Sequence, residues 1–168
     1  MRDRRFVAEH RGGPLKKEQH RQLIRWACVC ARHVLPLFGE DVDGRLEHAL
    51  MVAKEWEIGN ASVGDARNAA FGAIAVANES QNPTSIAIAR AIGHAVATAH
   101  MADHAPGAAE YALKAIVCEG KPIDAERQWQ DNQLTPDIRS LVLSVRNKKM
   151  WRQFWQASFQ NARKKLRS

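Results

Sequence analysis

The chain has 168 residues, 45% of them hydrophobic and 26% charged, with a formal net charge of +7. That length and balance are those of one ordinary globular domain with a full core. No secretory leader is expected, because Met-Arg-Asp-Arg-Arg has no apolar run behind it. Cys28, Cys30 and Cys118 are odd in number and lack a framework spacing, which suits a reducing cytoplasm.

The charge is unevenly placed. Residues 1–25 carry eight Lys/Arg against three acids, residues 26–137 eight against fifteen, and residues 138–168 nine against none. An acidic body with two basic ends is a statement about partners rather than about fold.

Residues 1–14 end in Arg-Gly-Gly-Pro, a breaker cluster, and read as a basic N-terminal arm or irregular lead-in. A helix follows from about Lys16, with Leu23, Ile24, Ala27, Cys28, Ala31 and Val34 at helical spacing, and stops near Pro36. Asp43 caps a second helix, Gly44 to Glu57. Ser62 caps a third, with Asp65 as its capping-box partner. Gly72 inside that helix suggests a close helix contact. Pro83 opens the next helix at the first position, where proline is tolerated.

The stretch from Thr84 to Lys114 is the centre of the chain. It is apolar on every side, which is the mark of a buried helix, yet ionisable groups and Pro106 interrupt it too often for a membrane span. Ala89, Gly93 and Ala97 repeat every four residues and form a small-residue seam for a close neighbour. Continued one turn, the seam reaches His100, with His104 four residues on, so His100 is expected to be buried and hydrogen-bonded to another helix. Pro106-Gly107 predicts a kink or corner before a fifth helix to about Val117. A sixth helix from Ile123 to Gln133 turns Trp129 inward, and Thr135-Pro136 starts a seventh.

Residues 148–166 predict a last helix, with Trp151, Phe154, Trp155 and Phe159 among basic residues. Lys148, Lys149, Arg152, Arg163, Lys164 and Lys165 form a candidate basic patch for nucleic acid or an anionic surface. Docking of its aromatics on the domain is favoured, because four aromatic side chains are costly to leave in water.

Catalytic signatures are missing: there is no Gly-x-Ser-x-Gly, no Cys beside a plausible His and no phosphate-cradling glycine loop. His100 and His104 suit two metal ligands, but a zinc site needs a third, and Asp103 lies about 60° round the helix. No metal or cofactor is therefore expected. A metal-dependent enzyme centred on His94, His100 and His104 stays as one alternative, and a nucleic-acid-binding accessory protein using the basic termini as another.

Four runs carry a resemblance: GGPLKKEQHRQLIRWACVCARHVLPLF, SVGDARNAAFGAIAVANE, GHAVATAHMADHAPGAAEYALKA and RQWQDNQLTPDIRSLVLS. Together, over about residues 12–146, the chain resembles the immunity-protein-five-like family of bacterial polymorphic toxin systems. The resemblance implies a small cytoplasmic all-α protein that binds and neutralises a cognate toxin domain, without catalysis. Residues matching the pattern include Trp26, Arg67, Gly93, His94, His100, His104, Tyr111 and Lys114. From these, Arg67, His94, His100 and His104 are taken as a candidate functional or structural polar cluster. The expected architecture is one all-α domain, an array or bundle of seven to eight antiparallel helices around a buried central pair. It comprises a basic arm (1–14), the helical domain (15–147) and a docked basic aromatic helix (148–168).

Overall fold

The computed structural model describes residues 2–147. The expected eighth helix and the basic patch Lys148, Lys149, Arg152, Arg163, Lys164 and Lys165 lie outside the described residues. Those described form an all-α bundle of seven helices: α1 (Lys17–Val34), α2 (Gly44–Glu57), α3 (Val63–Glu79), α4 (Pro83–Ala97), α5 (His104–Cys118), α6 (Asp124–Asn132) and α7 (Pro136–Arg146). None is long and apolar enough to cross a membrane.

Local chemistry sets most of the ends. Asp43 accepts from the Arg45 N–H at the start of α2. Ser62 and Asp65 bond reciprocally to each other's backbone N–H at the start of α3, at 3.0 and 2.8 Å. These bonds satisfy N–H groups that have no partner inside the helix. Pro83 and Pro136 stand in the first turns of α4 and α7, as expected. Thr135 caps nothing with its side chain; its hydroxyl donates to Gln22 Oε1 of α1 instead.

Helix α4 packs on α1, α2, α3 and α5, while α5 packs on α1, α4, α6 and α7. The central pair is therefore α4–α5, and its residues Ile88, Ile92, Ala95, Ala108, Ala112 and Leu113 are fully buried. Small side chains are the reason these helices approach so closely. A Cβ on Gly93 would lie 2.7 Å from Ile74 Cδ1 of α3, so the seam holds its neighbour as predicted. Gly72 is different: its nearest neighbour is Arg45 Cβ at 4.0 Å, an ordinary contact, so it makes no close helix crossing.

The N-terminal stretch is irregular but packed. Two 3-10 turns, Arg4–Phe6 and Glu9–Arg11, carry Phe6 into the core, and Leu15 follows. Glu9 then accepts from the Lys17 N–H at 3.0 Å, so this segment caps α1 from outside the helix.

Candidate functional site

The corner between α4 and α5 gathers the residues of the candidate polar cluster. Helix α4 ends at Ala97, where the Thr98 hydroxyl donates back to the His94 carbonyl at 3.1 Å. The chain turns through residues 98–103 and α5 begins at His104. The break therefore precedes Pro106, which sits in the first turn of α5 where its missing N–H costs nothing.

That break corrects the expectation for His100. The seam stops at Ala97, so His100 lies in the turn, half-buried, with no side-chain hydrogen bond among the described residues. Its expected i, i+4 pairing with His104 on one helix is lost for the same reason. Burial, and then the nearby charges of Arg67, Arg11, His104 and Arg2, lower its pKa. Arg67 itself is exposed on α3.

The pair that does form is His94 with His104. Their Nδ1 atoms are 3.1 Å apart, and the rings meet edge to face with centroids 5.0 Å apart. One ring donates an Nδ1–H and the other accepts, so at least one is neutral there. Burial first, then His104 and Arg90, push His94 down to about 4, and burial also lowers His104. His94 stacks on Tyr111, whose ring lies 5.9 Å from both the Arg90 guanidinium and the Lys114 ammonium. Gly107 gives His94 its place, since a Cβ there would come within 3.2 Å of His94 Nδ1. Among the described residues, no three His, Cys, Asp or Glu side chains converge as a metal centre requires.

A second polar cluster, not anticipated from the sequence, ties α1, α5, α6 and α7. The Arg146 guanidinium, 1% exposed, donates to Glu110 Oε1 at 3.2 Å, Asp131 Oδ1 at 2.6 Å and Gln130 Oε1 at 2.7 Å. It also lies over the Trp26 ring, whose Nε1–H donates to the Gln130 carbonyl. Glu110, the one acid of buried α5, was the available signal. Nearby, His33 stacks on Trp129 at 3.6 Å and bonds Glu126 at 3.0 Å. Trp129 is thus half-buried under an imidazole rather than turned into the core.

Two surface features remain. On the α2–α3 hairpin, Phe71, Ile58 and Met51 stand 64%, 56% and 53% exposed. Met51 and Phe71 are one turn from His48 and Asn68, which line a groove of about 430 Å³ between the two helices. Residues 40–79 carry eight acids against three Lys/Arg. A second cavity of about 380 Å³ lies between the N-terminal segment, the start of α1 and the end of α2, and meets the groove at Ala61.

Residues 13–137 match the model of a family described as Imm-5 like putative immunity protein. No curated protein and no solved structure matches the chain.

Proposed function

As the chain belongs to the Imm-5 like putative immunity protein family, we propose that it neutralises a cognate bacterial toxin by binding it, without catalysis. The binding face is the α2–α3 hairpin. The observation that carries this reading is the exposure of Met51, Ile58 and Phe71 on the α2–α3 hairpin, the three most exposed of the large hydrophobic side chains among the described residues. Large apolar side chains held in water together mark an interaction surface, and aromatics and Met are the types enriched at interface centres.

The acids around these residues specify the partner. Glu47, Glu55, Asp65 and Glu79 give the hairpin a negative field suited to a basic toxin surface, raising the encounter rate and excluding acidic partners. The two polar clusters support the reading in another way: His94 bonds His104, Arg146 bonds Glu110, and both contacts serve the packing of the bundle. Arg67, exposed on α3 and near enough to His100 to help lower its pKa, belongs to the rim of the face.

The experiment is co-expression of the full chain with the toxin encoded beside it, followed by purification of the complex. Rescue of growth with recovery of a stable complex is expected. Rescue without a complex, or with the toxin chemically altered, would replace binding by an enzymatic mechanism.

A further inference from the structure

The cavity at the N-terminal end has a composition unlike the rest of the surface. Elsewhere the arginines of the helices are largely paired: Arg25 with Glu57, Arg32 with Glu47, Arg45 with Asp43 and Glu79, Arg127 with Glu110. The cavity is lined by His10, Lys17 and Arg21, and none of these side chains has an ion pair or hydrogen bond among the described residues. Its one acid, Glu9, is already committed to the Lys17 N–H and the Lys16 ammonium.

Lys17 and Arg21 are four apart on α1, so their side chains leave the same face one turn apart. Two cations at that spacing, neither of them paired with a carboxylate among the described residues, suit an anion with several acceptor oxygens. Trp56, from the end of α2, also lines the cavity and meets His20 of α1 with ring centroids 4.9 Å apart. His20 is fixed there, because its Nε2–H donates to the Thr98 carbonyl at 2.6 Å. Burial lowers its pKa, the bond to the Thr98 carbonyl opposes that, and the basic residues His10, Arg11 and Arg2 add to the lowering.

We propose that this cavity binds a small phosphate-bearing ligand of nucleoside monophosphate size, its phosphate held by Lys17 and Arg21 and its ring against Trp56. The volume is at the lower end of the range of ligand pockets, which sets the size. Stacking on an indole tolerates different bases, so the phosphate dominates recognition. This site is independent of the toxin reading and does not need it.

The test is a titration of the full chain with adenosine monophosphate, followed through the tryptophan indole N–H signals in a nitrogen–proton correlation spectrum. Trp56→Phe identifies the Trp56 signal. That signal is expected to shift and saturate at or below about 1 mM, with adenosine at least about tenfold weaker. Inorganic phosphate should compete. Arg21→Glu and Lys17→Glu, both at the surface, should each weaken binding by about tenfold or more with the rest of the spectrum unchanged. An unmoved Trp56 signal, equal binding of adenosine, or unchanged affinity in both charge reversals would overturn the site. So would shifts confined to Trp151 and Trp155, which would place the phosphate on the basic C-terminal residues.

Discussion

His94 and His104, ten residues apart on two helices, face each other Nδ1 to Nδ1 at 3.1 Å in the corner that joins α4 to α5. Two imidazoles can share that contact while one is neutral; two imidazolium ions cannot, beside Arg90. The corner is therefore stable only where protons are scarce.

The sign of the pH dependence follows. The folded-state pKa of His94 lies near 4, below the ordinary histidine value, and His104 is shifted the same way. The unfolded chain binds the extra protons, so the stabilisation is complete above about pH 6.5 and is lost as pH falls from there toward 4. The loss is on the order of 2–3 kcal/mol. Urea unfolding midpoints measured from pH 7.5 to 4.5 should fall accordingly, and His94→Gln should flatten that limb. A midpoint independent of pH in the parent chain would contradict the pairing.

Arg146→Met removes the cation buried with Glu110 and Asp131. The deficit should be about 3 kcal/mol or more, because buried Glu110 loses the guanidinium that lies 3.2 Å from its carboxylate. Adding Glu110→Gln should restore part of it. Chemical denaturation of the two single variants and the double variant checks this through the coupling energy; strict additivity would mean that the two residues do not interact.

Gly93→Ala tests the crossing of α3 and α4. The gain in helix propensity is about 1 kcal/mol, but the new Cβ would stand 2.7 Å from Ile74 Cδ1, and overpacking costs about 1–3 kcal/mol. Net destabilisation is expected. In an Ile74→Ala background, which lacks both the Cδ1 at 2.7 Å and the Cγ1 at 3.0 Å, the same change should become neutral or stabilising. Melting temperatures of the four chains decide it.

Phe71→Asp and Met51→Asp address the proposed toxin face. Both side chains are more than half exposed, so each change should alter stability by only about 0.5 kcal/mol. Each should nevertheless weaken toxin binding by about tenfold or more, since apolar anchors dominate interface energies. Affinity by calorimetry, alongside the melting temperature, separates the two effects. Wild-type affinity in the double variant would move the interface elsewhere.

Where a structural decision is taken by neighbours in sequence, the chain alone determined it. Asp43, Ser62 with Asp65, Pro83 and Pro136 mark helix starts because a cap needs only groups within about four positions. The buried centre was legible as well, since no solvent face can be drawn on an apolar, Ala-rich helix pair. The membership of the polar sites was not. Periodicity carried the α4 register through to His100, whereas the helix stops at Ala97 and puts His94 against His104 instead. Arg146 reaches Glu110 across 36 residues, and His20 reaches Thr98 across 78. Such pairings depend on how helices cross, and side-chain spacing along one helix holds no record of that. The same is true of Trp129: helical spacing turned it inward, and only the packing of α6 on its neighbours leaves it half-buried under His33.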